Sequence, residues 1–509
     1  MSSITTNVAT ARVSVSITDL GEHIAAHVRS GWRLGHLTAR QFRQDKGNAI
    51  ALITIMLAPT HIEVWESEVP KSQSSFSSMT NEIPGVHWFE RFIYDLFGLM
   101  PDGHPRFKSV IFHASWPDDY FPLAGDPDVK PTASDRKRDF GFVPVTGDGV
   151  FEIAVGPIHA GIIEPGHFRF SCLGEEIHNL DIRLGYLHRG IEKRLESCPL
   201  AKARFLAESA SSDTTVANAI AHARAVEALT GTTPADPVLD IRVVALELER
   251  SVVHISDLGG ICADMGFLAG SSIFARLRGK LLGVSERLTG TRFMTSFVIP
   301  GGVSRVISND IYAQMIVELD AVLSGYNSIA QQLLDNFGAM ERMEGIGVVP
   351  HLLAADLGLV GPAGRASGIR YDVRQWRNEE AYVNSDWSPV FEEDGDIFAR
   401  IRVRAYEVTQ SLQLIRRLIG HLRKVSQLPN TVIRSLPANK VGVGIVEAFR
   451  GELIHTIFTG SDGRITRYAI KDPSTNNWPA LAHAVRGELI SDFPLCNKSF
   501  GLSYSGNDL

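Results

Sequence analysis

Two spacings of apolar residues divide this chain into regions. Near the N-terminus, Ile50–Trp65 (IALITIMLAPTHIEVW) is an apolar run broken once at Pro59, which predicts a strand, a turn and a second strand. His87–Leu99 (HWFERFIYDLFGL) places Phe89, Phe92, Ile93 and Leu96 on one helical face. The string that follows, GHPRFKSVIFHASWP, predicts a turn and then a strand. Asp118–Phe142 is rich in Pro, Asp and basic residues with little apolar period, as expected of a connector. From Gly149 the pattern alternates, and Val150–Gly156 and His167–Leu173 predict a hairpin.

Long helical periods then take over. Ala201–Thr230 runs to Gly231, a residue suited to end a helix. Asp236–Pro237 sets an N-cap and a first-turn proline before Ile241, Val244 and Leu248. Ser271–Thr289, Asp310–Asn336 and Asp396–Val425 continue the helical region, the last with Ile397, Ile401, Leu412, Ile415 and Ile419 on related faces. Strands return at Val443–Phe449, Glu452–Thr459 and Arg464–Ile470. The fold class is therefore α+β, with a small α+β unit over residues 1–117, a linker over 118–148, and a larger unit over 149–509 that has a helix-bundle core and strand hairpins.

Composition narrows the function. The chain has 509 residues, 44% of them hydrophobic and 21% charged, the mix of a globular protein with a sizeable core. Its net charge of −7 argues against a nucleic-acid partner, whose electrostatic footprint is basic. The four cysteines (Cys172, Cys198, Cys262, Cys496) form no C-x-x-C, which removes a zinc ribbon or disulfide framework and fits a reducing compartment. No signal-peptide pattern opens the chain, and its longest apolar run, about ten residues, is half of what a bilayer requires. Pro300–Gly301–Gly302 lacks a strand–G-x-G-x-x-G–helix context, so it reads as a tight turn.

Five ordered strings carry more specific information: GPIHAGIIEPGHFRF (156–170), GYLHRGIEKRLE (185–196), RASGIRYDVR (365–374), VEAFRGEL (446–453) and NWPALAHAVRGELISDFPLCNKSF (477–500). Together they resemble the large subunit of membrane-bound, energy-converting [NiFe] hydrogenases of the formate hydrogenlyase type, a relative of the quinone-site subunit of respiratory complex I. ERFIYDLFGLMPDGHPRFKSVIFHASWP (90–117) resembles the small complex I subunit fused ahead of it, with Phe92 where that string usually has a second acidic residue.

The resemblance implies a nickel–iron centre held by two C-x-x-C pairs, because soft thiolates suit those metals. Aligned on the strings FLAESASSDTTVANAIAHARAVEALTG (205–231) and FGLSYSGNDL (500–509), the corresponding positions here are Ser211, Thr214, Ser503 and Gly506, so no metal is expected. The quinone-reducing relatives imply a His on the first hairpin loop, a Tyr at the start of a helix, and an Asp bonded to the His. These positions fall near Pro165, with Glu164 and His167 beside it, at Ser212, and at Asp264. In the hydrogenases the loop glutamate, here Glu164, gates protons. His159 and Arg365 are expected along the old cavity; the plainer readings are a hydrogen-bonded structural role for the histidines, inherited loop architecture for Glu164, and a helix-capping or salt-bridged carboxylate for Asp264. His188 and Arg189 are expected to join the hairpin sheet to the bundle.

The function implied is a non-metal subunit of a membrane-associated, ion-translocating oxidoreductase complex. Its partners would be an iron–sulfur small subunit, other peripheral-arm subunits and antiporter-like membrane subunits. It would lie on the cytoplasmic, inner face of the cell membrane, with no cofactor held by its own ligands, iron–sulfur clusters in its partners, and a quinone in the old cavity. NAD in such complexes belongs to other subunits. The alternative is a structural or assembly subunit whose site has decayed.

Overall fold

The computed structural model describes residues 10–44, 47–125, 140–159, 163–196, 198–377, 379–425 and 428–509. The N-terminal unit is a four-stranded sheet in the order Thr10–Ser14, Ile62–Val69, Gly47–Leu57, Arg33–Gln44, the first pair parallel and the others antiparallel. The long apolar run is explained by burial of its strand on both faces. Leu52 and Met56 point toward helices Leu20–Arg29 and His87–Phe97, among Ile24, Phe89, Ile93 and Phe97. The alternate residues Ala51, Ile53, Ile55 and Leu57 pack against Tyr371, Val373, Val443, Ile445, Ile454 and Phe458 of the larger unit. One strand thus serves two cores and fixes how the units sit together. Arg467 reinforces the seam, donating to the Ala39 carbonyl at 2.9 Å and to Thr38 Oγ1 at 3.1 Å.

The larger unit holds two three-stranded antiparallel sheets, Val150–Val155/His167–Leu173/Glu176–Arg183 and Val441–Ala448/Gly451–Thr459/Ile465–Lys471. Around them pack the long helices Asp236–Asp264, Leu268–Thr289, Asn309–Leu334 and Ile397–Leu422. Among the described residues no helix is long and apolar enough to cross a membrane.

Several expectations change. No regular strand follows GHPRF; the Asp95 carboxylate instead accepts the backbone N–H groups of Val110 and Ile111 at 2.7 and 2.9 Å and holds that segment in turns. The helix expected over 201–230 is broken into Leu200–Glu208 and Thr215–Thr230, with Ser209–Thr214 forming a kinked connection. Asp236 is the first helical residue and Ala235 the N-cap. Thr10–Ser14, Leu20–Arg29, Arg33–Gln44 and Glu176–Arg183 were not foreseen. Of the connector, residues 126–139 lie outside the described residues, while Val143 N–H donates to Asp181 and Phe142 lies under the Arg169 guanidinium at 3.8 Å. The Val298–Ile299 and Gly302–Val303 pair makes the tight turn expected at Pro300–Gly302.

Helix Thr215–Thr230 lies directly on strand Val441–Ala448. A Cβ at Gly444 would stand 1.9 Å from the Ala221 carbonyl oxygen, backbone against backbone. Gly444→Ala is therefore expected to lower the denaturation free energy by about 3 kcal/mol. Gly279→Ala, in a helix with open space at that position, is expected to raise it by about 0.5–1 kcal/mol. Urea unfolding midpoints of the two variants check the pair.

Candidate functional site

The break at Ser209–Thr214 positions the site. Thr214 caps helix Thr215–Thr230, but its side chain accepts none of that helix's backbone N–H groups. Glu249 of the neighbouring helix instead accepts the N–H groups of Val216 and Ala217 at 2.7 and 3.0 Å. Burial pushes the Glu249 carboxyl up to about 8. The chain thereby turns Ser211–Thr214 toward the C-terminal segment, where Ser503 caps the short helix Tyr504–Asp508 by accepting the Gly506 N–H at 2.9 Å.

The four positions matched to thiolates meet in space. Ser211 Oγ and Ser503 Oγ are 2.9 Å apart, and Thr214 Oγ1 donates to Ser211 Oγ at 3.3 Å. Ser211, Thr214 and Ser503 are each 1% exposed. Gly506 contributes no side chain, and a Cβ there would stand 2.3 Å from Asp472 Oδ2. Arg450 closes the cluster: it donates to both carboxylate oxygens of Asp213 at 2.6 and 2.7 Å, to Thr214 Oγ1 at 3.1 Å, and to the Gly501 carbonyl. Burial alone would raise the Asp213 carboxyl, but Arg450 and the Thr214 and Ser211 hydroxyls outweigh it and hold it below its ordinary range. A nickel–iron centre does not fit these residues. Three hydroxyls, already bonded to one another and to an ion pair, offer no soft anionic donor.

Glu164 sits against this cluster. Its Oε1 accepts from Ser212 Oγ at 2.9 Å, and its Oε2 accepts the N–H groups of Tyr504 and Ser505 at 3.1 and 3.0 Å. One carboxylate therefore joins the hairpin loop to the helix break and to the C-terminal segment. The Tyr504 ring packs over Gly166, where a Cβ would fall 2.4 Å from Cε1.

The histidines close the hairpin. His159 Nε2 donates to the Gly166 carbonyl at 2.8 Å, and His167 Nδ1 donates to the Gly156 carbonyl at 3.2 Å. His167 Nε2 is buried with no hydrogen-bond partner, and burial, helped by Arg169, Arg183 and His159, lowers its pKa. Asp264 makes no hydrogen bond or ion pair with Glu164 or His167. It ends helix Asp236–Asp264 and pairs with Lys498 at 2.5 Å. Arg365 is fully buried and bonded to carboxylates of Asp372, Glu407 and Glu447. His188 Nδ1 donates to the Asp508 carbonyl and Arg189 to the Ser209 and Ala210 carbonyls, tying the YLHRG turn to both halves of the site.

Sequence reasoning did not single out Arg450, Asp213, Asp472 or Tyr504. The signal for Arg450 lay inside VEAFRGEL, where a tight turn after a buried strand ends on a basic residue.

Residues 264–508 match the model of the respiratory-chain NADH dehydrogenase 49-kDa subunit, and residues 16–133 that of its 30-kDa subunit. The chain is 30% identical to formate hydrogenlyase subunit 5 of Escherichia coli over 449 residues, covering 87% of this chain and 78% of that one. It is 29% identical to hydrogenase-4 component G of the same organism, covering 86% and 77%. It is also 29% identical to the C/D-type NADH-quinone oxidoreductase protein of Phocaeicola vulgatus, covering 75% and 77%. The chain belongs to the oxidoreductase family that unites these hydrogenase-type subunits with the 49-kDa subunit of NADH dehydrogenase, with a 30-kDa-type domain fused ahead of it.

Arg450→Ala is expected to cost about 2 kcal/mol, because it removes charge-assisted bonds to a half-exposed carboxylate. With Asp213 held below its usual 3.8, its contribution is present above that pH and is lost as pH falls through the lowered value. Chemical denaturation at pH 7 and pH 3 checks this: the variant's deficit should be smaller at the acid end.

Proposed function

We propose that this member of the hydrogenase–NADH dehydrogenase family works without a metal, as a peripheral subunit of a membrane-associated, ion-translocating oxidoreductase complex. The observation that carries the reading is Glu164. The thiolate positions have become a closed hydroxyl cluster, yet the loop carboxylate still bonds to both halves of the site, through Ser212 and through the N–H groups of Tyr504 and Ser505. A site kept only for packing has little use for a half-buried acid at its mouth. The relatives are named as parts of formate hydrogenlyase, hydrogenase-4 and NADH-quinone oxidoreductase, which supports a multisubunit setting.

In this reading the chain docks on an iron–sulfur small subunit on the inner face of the cell membrane, contacts other peripheral-arm subunits, and faces antiporter-like membrane subunits. A quinone held near the hairpin loop receives two electrons from the partner's cluster and two protons, giving the quinol. Glu164 exchanges protons with solvent, and His167, whose Nε2 lacks a protein partner, passes one on. His159 orients the loop. Asp264, paired with Lys498, acts as a fixed charge and not as the partner of His167. Arg365 supports the site from the core.

The second reading is a structural or assembly subunit. What favours it is the self-sufficiency of the Ser211–Thr214–Ser503 cluster, which needs no ligand to satisfy its hydroxyls.

The test has two steps. A tagged chain drawn from gently solubilised membranes is expected to bring an iron–sulfur small subunit and antiporter-like proteins with it; a chain that emerges alone contradicts the complex. Glu164→Gln is then expected to lower quinone-dependent turnover of the complex at least tenfold while leaving its composition unchanged. Unaltered turnover favours the structural reading.

A further inference from the structure

The core of the larger unit contains a network of charges that the site does not use. Helix Asp236–Asp264 supplies Glu247, Arg250 and His254, helix Ile397–Leu422 supplies Glu407, segment Gly361–Trp376 supplies Arg365, Asp372 and Arg374, and strand Val441–Ala448 supplies Glu447. None of these side chains is more than 2% exposed.

The contacts are continuous. Arg365 reaches Asp372 at 2.9 Å, Glu407 at 2.7 Å and Glu447 at 2.7 Å. Arg374 reaches Asp372 at 2.7 Å, Glu407 at 2.8 Å and Glu247 at 3.4 Å. Arg250 reaches Glu247 at 3.0 Å and lies 4.0 Å from Glu407. Three guanidinium groups (Arg250, Arg365, Arg374) therefore face four carboxylates (Glu247, Asp372, Glu407, Glu447). Around the network Arg224 pairs with Glu379, Arg404 with Asp257 and Lys471 with Glu452, while the Arg33 guanidinium lies over the Tyr371 ring at 3.7 Å and Arg377 donates to the Ala58 carbonyl at 3.0 Å. Glu249 is spent on the backbone of the next helix, and the Tyr382 phenol donates to Glu247.

An unmatched negative charge sealed from water costs far more than a proton taken up to cancel it. We infer that this network is a proton-binding site in the protein core that holds one exchangeable proton on Glu447. The seat follows from the contacts. Glu407 touches Arg365 and Arg374 and accepts from His254 Nε2 at 3.1 Å, Glu247 accepts from Arg250, Ser411 and Tyr382, and Asp372 bonds two guanidinium groups. Glu447 has one guanidinium, Arg365, and one backbone donor, Val373 N–H at 3.1 Å. It is the least compensated of the four. Burial, with the Asp372 charge beside it, pushes Glu447 up to about 7, against an ordinary value of 4.5. His254 donates from Nε2 to Glu407 at 3.1 Å, and its Nδ1 is buried and unbonded, 3.9 Å from Asp257.

Such a site loads and releases its proton near neutral pH, where a nearby change of charge is enough to move it. The proton on Glu447 is a property of the core itself, held whether or not a quinone binds at the hairpin loop.

The test is infrared spectroscopy of the full-length chain, wild type minus Glu447→Gln, from pH 5 to pH 9. The expected result is a buried carboxylic-acid C=O band in the difference spectrum at pH 5–6 that halves near pH 7 and is gone at pH 9. The folded state binds more protons than the unfolded chain between pH 4.5 and about 7, so this group's stabilisation falls as pH rises through that window, and the slope should be missing in the variant. If Glu447→Gln does not fold, Glu447→Asp keeps an acid and should shift the band instead of removing it. No carboxylic-acid band assignable to residue 447 at pH 5–6 overturns the proposal, as does an imidazolium signal from His254 in wild-type protein at pH 7 by nitrogen-15 NMR.

Discussion

A guanidinium group taken out of water must have its charge and its donors met, and Arg365 is met by three carboxylates that come from different parts of the chain. Asp372 follows it closely, Glu407 lies on a long helix, and Glu447 on a buried strand. Through Arg374, Arg250 and Glu247 the same constraint reaches the longest helix. Replacing such a network with apolar side chains can leave stability unchanged or improved, so its value lies in register. The charges tie the two helices and the strand to one another at these contacts. Strand Val441–Ala448, fixed by Glu447, leads directly into the turn that carries Arg450, and Arg450 holds Asp213 and the Thr214 hydroxyl. The core charges and the hydroxyl cluster are consecutive parts of one framework.

That framework holds together the four positions that the resemblance matches to thiolates. Ser211, Thr214 and Ser503 satisfy each other, Asp472 occupies the space a side chain at 506 would need, and Arg450 supplies fixed positive charge beside them. What remains exposed to change is the loop acid. Glu164 is held in place by a serine hydroxyl and two backbone amides that come from different segments of the chain.

Much of the fold was legible from pattern. The helices of the bundle and the C-terminal strands carry apolar runs long enough to mark them, even where, as in strand Val441–Ala448, the residues are divided between two cores. The misses have physical causes. The Leu20–Arg29 helix and the Arg33–Gln44 strand interleave basic and polar residues with apolar ones, and the strand buries His36 and Thr38 as well as Leu37 and Ala39, so its alternation is lost. The expected strand after Pro105 gave way to turns because one carboxylate, Asp95, captured its amides. The break before Thr215 is invisible to periodicity, being stabilised from another helix by Glu249. At the site, the strings located Glu164 and the four converging positions. They did not show that Asp264 pairs with Lys498, or that Arg365 is turned into the core, because both depend on partners more than 40 residues away in sequence.

The central claim is that a metal site has become a closed hydroxyl cluster while its geometry is retained. Anomalous X-ray diffraction from crystals of the native protein, recorded at the nickel and iron absorption edges, tests it most directly. The account predicts no anomalous peak between residues 211, 214, 503 and 506, with Ser211 Oγ and Ser503 Oγ in hydrogen-bond contact at 2.9 Å. A peak at that point, with the two serine oxygens spread apart around it, would contradict it.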